Sequence, residues 1–204
     1  PLALQVSNDG SSLTGVGEVG SVVTVRNAAN QIVGTGTVQA DGGFTISLTP
    51  VQGDSGVLHV TLTDAAGNTS VAGNVSAPDL IAPDIPVNLQ ISADGLTVTG
   101  EGEAGAIVRI YNSNNLQIGS GLVQPDGSFS ITLNLVQNDG SSLQVTQTDA
   151  AGNISAAALI ASPDLTAPDA PLNLQLNADG SILTGTGEPG ASVTVRNTLN
   201  AVVG

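Results

Sequence analysis

The sequence predicts an all-β chain made of tandem sandwiches, and three observations carry that prediction. Short β-branched runs alternate apolar and polar residues with the period of two that a sheet with one buried face requires. Glycine, aspartate and asparagine interrupt these runs about every 8 to 12 positions, the spacing of a sandwich or barrel. The whole pattern then returns at an offset of 85 residues without a gap: residues 77–86 (APDLIAPDIP) become 162–171 (SPDLTAPDAP), and 64–68 (DAAGN) become 149–153 (DAAGN). Applied twice, the offset carries residues 15–20 (GVGEVG) onto 100–105 (GEGEAG) and 185–190 (GTGEPG). No window holds helical periodicity, and the abundance of glycine argues further against helices.

The chain therefore reads as a piece of a repeat array. Residues 1–85 form repeat 1 with linker 77–86, residues 86–170 form repeat 2 with linker 162–171, and residues 171–204 are the N-terminal part of a repeat 3. Within repeat 1 the alternation predicts seven strands, over 2–6, 11–16, 21–27, 31–38, 43–49, 57–63 and 69–76. Phe44, Ile46 and Leu48 share one face, as do Leu58, Val60 and Leu62, and these faces are the expected core. Repeat 2 supplies Phe129, Ile131, Leu133, Leu143 and Val145 in the same places. Asp9-Gly10, Asp41-Gly42, Asp94-Gly95, Asp126-Gly127 and Asp179-Gly180 mark turns that need a positive φ. Pro78, Pro83 and Pro86, like Pro163, Pro168 and Pro171, hold each linker extended and stiff.

Composition narrows the function. The only aromatic residues are Phe44, Phe129 and Tyr111, so the cores must be built from Val, Ile and Leu, and a pocket walled by rings is not expected. Without Cys or Met there are no disulfides, no thiol catalysis and no soft-metal site. Seventeen acidic residues stand against three arginines, Arg26, Arg109 and Arg196, for a net charge of -14. That balance excludes nucleic acid as a natural partner, since binding it needs a basic footprint, and it opposes an anionic membrane surface. Nor does any apolar run approach the roughly 18 residues of a spanning helix. Divalent cations are the partner this charge invites.

Several motifs have ordinary readings. The three GxGxxG turns precede β-branched strands instead of helices, and Glu18, Glu103 and Glu188 stand where a pyrophosphate would meet negative charge, so dinucleotide binding is rejected. Glu101 and Glu103 form a carboxylate pair without an aromatic platform, and Val16 replaces Glu101 in repeat 1, against glycosidase chemistry. His59 corresponds to Gln144 and is read as a solvent-facing strand residue. The Asn-x-Ser/Thr triplets at Asn68, Asn74 and Asn153 are explained as well by turn chemistry as by glycosylation. With no nucleophile, base or electrophile assembled, the chain is not expected to be an enzyme.

If seven strands form an immunoglobulin-like sandwich, the loops after strands two, four and six gather at the pole where the chain enters. Glu103, Asp126, Asp149 and Asn153 of repeat 2 then lie beside Asp79 and Asp84 of the incoming linker, with Asn30 and Asp54 of repeat 1 approaching from the other side. Oxygen donors without His or Cys are what a hard cation of six to eight coordination takes, and Ca2+ fits better than Mg2+.

The Asp-Ala-Ala-Gly-Asn loop, the Gly-Glu-Val-Gly turn and the APDxxAPDxP linker together resemble the bacterial immunoglobulin-like repeats of giant biofilm-associated and RTX-type surface adhesins. The resemblance implies tandem seven-stranded sandwiches in an extended array that projects adhesive domains from the bacterial cell surface, stiffened by calcium between repeats. It implies Asp79, Asp84, Glu103, Asp149 and Asn153 as ligands at the first junction and Asp164, Asp169 and Glu188 at the second. No RTX nonapeptide occurs in this chain. The expected partners are neighbouring repeats and, through self-association, other copies. The competing reading is a module that binds glycan, surface or itself through sheet faces or loops.

Overall fold

The computed structural model describes residues 1–204, and every regular element in it is a β-strand. Repeat 1 contains β1 (Leu2–Val6), β2 (Ser12–Val16), β3 (Val22–Arg26), β4 (Ile32–Thr37), β5 (Gly43–Ser47), β6 (Val57–Thr63) and β7 (Gly73–Ser76). Repeat 2 contains β8 (Val87–Ile91), β9 (Thr97–Glu101), β10 (Ile107–Tyr111), β11 (Gln117–Leu122), β12 (Ser128–Thr132), β13 (Ser142–Thr148) and β14 (Ala158–Ala161). The alternation predicts strand seven from residue 69. The strand begins at Gly73 instead, preceded by an isolated bridge between Thr63 and Thr69. Between them, the Ser70 hydroxyl accepts the Leu62 N–H, so a side chain takes the place of a ladder bond.

All pairings are antiparallel. One sheet of repeat 1 has the order β1-β2-β5 and the other β4-β3-β6-β7; repeat 2 matches with β8-β9-β12 and β11-β10-β13-β14. Strand four thus pairs with strand three, where the constant-type immunoglobulin arrangement places it beside strand five. The cause is local. The turn from Asn27 to Asn30 is short, Asn30 takes a φ of 62°, and the Asn27 side chain accepts the Gln31 N–H, which folds β4 directly back on β3. Asp41-Gly42 and Asp126-Gly127 consequently turn between sheets, whereas Asp9-Gly10 and Asp94-Gly95 close hairpins. In β4, a Cβ on Gly34 or Gly36 would sit 2.6 or 2.5 Å from Ile46, so the absent side chains let this edge approach the facing sheet.

The inward rows meet as expected. Phe44, Ile46, Leu48, Leu58, Val60 and Leu62 join Leu13, Val23, Val25, Val33 and Val38 in one core, while Phe129, Ile131, Leu133, Leu143 and Val145 belong to a second, separate core in repeat 2. Each repeat therefore has the means to hold itself together. Residues 171–204 contribute β15 (Leu172–Leu176) and β16 (Leu183–Thr186), paired with each other, whose side chains are all exposed.

Each first strand carries a bulge at equivalent positions: Ala3, Asn88 and Asn173 have φ values of 50°, 52° and 55° where the register slips. Asn tolerates this left-handed conformation better than Ala does, and Asn88 also donates from its amide to Glu101 at 2.9 Å. Ala3→Asn is expected to stabilise repeat 1 and Asn88→Ala to destabilise repeat 2, each by about 1 kcal/mol. Chemical denaturation of the two variants checks this; an unchanged or opposite midpoint would contradict it.

Candidate functional site

The antiparallel order brings three loops of repeat 2 to the pole that receives linker 77–86: residues 102–106, 123–127 and 149–157. The first two are tied by the Gly102 N–H donating to the Gly127 carbonyl at 2.9 Å. Asp84, Glu101, Glu103 and Asp126 line one open cleft there of about 460 Å³, together with Gln147. At the second junction Asp169 and Glu188 line the corresponding cleft, with Thr186 where Glu101 stood. Asp84 and Glu103 thus share one cleft, and Asp169 and Glu188 share the other.

Asp79, Asp149 and Asn153 form a second group outside that cleft lining. The Asp149 carboxylate accepts the Asn153 N–H at 2.9 Å and the Asn153 side-chain amide at 2.8 Å, closing the Asp-Ala-Ala-Gly-Asn loop on itself. Asp64 and Asn68 close the equivalent loop of repeat 1 in the same way. What repeat 2 adds is reach: the Asn153 amide also donates to the Asp79 carbonyl of the linker, at 3.3 Å.

On its other side the linker is bound to repeat 1 by its backbone. The Ala77 N–H donates to the Gly56 carbonyl at 2.9 Å, Ser55 N–H to the Pro78 carbonyl at 3.1 Å, and Leu80 N–H to the Gly53 carbonyl at 2.8 Å. Asp54 faces Asp79 in this bridge, and Asp139 faces Asp164 at the second junction. The Asp164 carboxylate is engaged locally, accepting from the N–H and the hydroxyl of Thr166. Pro83 and Pro86 are buried at the first junction.

Gln147 was not singled out by sequence. It is 1% exposed, and both ends of its amide are used: the carbonyl accepts the Glu103 N–H at 2.9 Å, and the nitrogen donates to the Asp84 carbonyl at 2.6 Å. A signal was present. In β13 the inward positions run Leu143, Val145, Gln147, and the 85-residue offset carries Leu62 onto Gln147, so a polar residue stands where repeat 1 has an apolar one.

For a cation, the chemistry and the convergence of these donors differ. Oxygen is the only ligand type present, which suits calcium. No three acidic or histidine side chains, however, lie close enough together to hold an ion. Asp126 is also partnered by Ser128, and Glu101 by Asn88. Backbone carbonyls and water would have to complete any coordination sphere of six to eight oxygens.

The sequence matches a known family. A family model described as "Bacterial Ig domain" matches residues 1–79, 82–164 and 167–204. The chain belongs to the bacterial Ig domain family. Among solved structures, one titled "Biofilm associated protein - BSP domain" shares 23% identity with this bacterial Ig chain, over 81% of it and 30% of the other, with a TM-score of 0.35. This chain thus spans under a third of that protein's length. A two-domain fibronectin type-III segment from chicken tenascin shares 11% identity over 80% of this chain and 98% of the other, also with a TM-score of 0.35. No curated protein matches. No helix is long and apolar enough to cross a membrane.

The loop carboxylates give the tandem Ig chain an acid limit. Asn68 and Asn153 hold Asp64 and Asp149 below their ordinary value of 3.8, chiefly through the asparagine side chains. The Ser7 and Ser11 hydroxyls bring Asp9 down to about 2. Because these values are depressed in the folded chain, their stabilisation is complete above 3.8 and is lost as pH falls through the folded values. A carboxyl NMR titration should therefore show Asp9 ionising with a midpoint near 2 and Asp149 below 3.8. A midpoint for Asp149 at or above 3.8 would contradict the closed-loop geometry.

Proposed function

We propose that this chain is a non-enzymatic extender segment of a bacterial cell-surface adhesin, in which calcium between repeats stiffens a stalk that projects adhesive domains for cell adhesion and biofilm formation. The observation that carries the spacer role is the linker bound on both sides, by backbone hydrogen bonds to repeat 1 and by Asn153 and Gln147 of repeat 2. A linker so held transmits orientation from one sandwich to the next, which a flexible tether does not. Membership of the bacterial Ig domain family, serial repetition and separate cores support the same role, since a spacer gains reach with each added unit.

Calcium enters through charge. Asp84, Glu101, Glu103 and Asp126 share one cleft in a chain of net charge -14, and a cation there would relieve their mutual repulsion and stiffen the junction further. Asp84 and Glu103 at the first junction, with Asp79, Asp149 and Asn153 beside them, and Asp164, Asp169 and Glu188 at the second, are the proposed ligand residues. Extracellular calcium modules bind weakly, so the relevant range is about 0.1 to 1 mM and above. Small-angle scattering in chelator and then in about 10 mM calcium tests the proposal. A larger maximum dimension with calcium, lost in Asp84→Ala and in Glu103→Gln, is the expected result. An unchanged profile would remove calcium from the junction and leave a spacer held by packing and hydrogen bonds.

A further inference from the structure

The same turn meets a different side chain in the two repeats. In repeat 1, Leu62 lies under Gly17, where a Cβ would come within 2.4 Å of its Cδ1; in repeat 2, Gln147 lies under Gly102, where a Cβ would come within 2.3 Å of its Oε1. A side chain at Gly17 or Gly102 would thus have to displace residue 62 or 147. Leu62 completes a core and has nothing to offer a linker. Gln147 fits the same slot, yet it carries a donor and an acceptor into a site that is 1% exposed, and both find partners: Glu103 of the turn and Asp84 of the linker.

We propose that Gln147 is a junction lock, a single position that decides whether a repeat grips the linker entering it. A buried amide with both ends satisfied fixes direction as well as distance, because rotating the linker away breaks the bond to the Asp84 carbonyl while the Glu103 N–H still holds the other end of the amide. Turning the Asp84 carbonyl away therefore costs the junction one net hydrogen bond. Leucine at this position carries no such penalty, so a repeat of the Leu62 type accepts its incoming linker at a wider range of angles. Serial repeats of otherwise equal fold are in this way divided into gripping and permissive units by one residue. The lock deepens the spacer reading and rests on it for its purpose, but it needs no ion.

The chain has no native cysteine, so spin labels at the exposed positions Thr45→Cys and Ser130→Cys report the distance between repeats by pulsed electron spin resonance. In chelator, the wild-type residue at 147 should give a narrow distribution. Gln147→Leu should broaden it, with about a fivefold rise in the population away from the main distance, as expected for losing one net hydrogen bond. Gly102→Ala, which pushes the amide from its seat, should act in the same direction, and Leu62→Gln in repeat 1 should leave the distribution unchanged. Leucine fills this slot in repeat 1, so repeat 2 should remain folded, and its unchanged core amide spectrum checks that. An unaltered distribution in Gln147→Leu overturns the lock while leaving the spacer reading in place. A wild-type distribution that is broad in chelator and narrows only with calcium also overturns it, in favour of an ion-held junction. A distribution broad in both conditions overturns the lock and the spacer reading together.

Discussion

A linker between two sandwiches has peptide groups that belong to neither sheet, and these must find partners wherever water is excluded. Here they are divided between the neighbours. Residues 77–80 are bonded to the 53–56 loop of repeat 1, while the carbonyls of Asp79 and Asp84 are taken by Asn153 and Gln147 of repeat 2. Pro83 and Pro86 offer no N–H, are buried against the junction, and hold the segment extended. The linker is therefore the last segment of one unit and the first of the next, and the relation between repeats depends on that double membership.

The junction also explains which features of the repeat are structural and which act between units. The Asp-Ala-Ala-Gly-Asn loop closes on itself through the same Asp–Asn pair in both repeats, so the Asp149 carboxylate and its Asn153 partner are first of all a stable loop. Asn153 then has one further hydrogen to give, and it gives it to the linker. The acidic cleft differs in kind. Its carboxylates share a space without a cation side chain among them, and the three arginines lie elsewhere on hydrogen bonds to carbonyls or a hydroxyl. Charge of one sign at the meeting of two units makes the junction sensitive to ionic conditions whichever cation answers it.

Much of the fold was legible because β-alternation is a short-range signal. The rows Phe44-Ile46-Leu48 and Leu58-Val60-Leu62 point inward for the reason the alternation gives, and the offset of 85 residues carries that reading to repeat 2. The pole at which Glu103, Asp126 and Asn153 meet the linker followed from antiparallel topology alone. What was missed depends on tertiary context. Strand four joins strand three's sheet because of an Asn27–Asn30 turn whose conformation the alternation does not encode. The late start of β7 at Gly73 reflects the Ser70 hydroxyl displacing a ladder bond. Gln147 escaped because a glutamine in a strand reads as exposed unless its register against Leu62 is examined. Of the five residues that the resemblance implies at the first junction, Asp84 and Glu103 line the cleft, while Asp149 and Asn153 close a loop.

The linker fixes one repeat to the next, a claim that residual dipolar couplings test. Backbone amide couplings from the strands of repeat 1 and of repeat 2 would be measured together in one weakly aligning medium. Two units joined by a doubly bonded linker should share one alignment tensor, in magnitude and in axes. Separate tensors, with one repeat markedly less ordered than the other, would show that the units move independently and would contradict the claim.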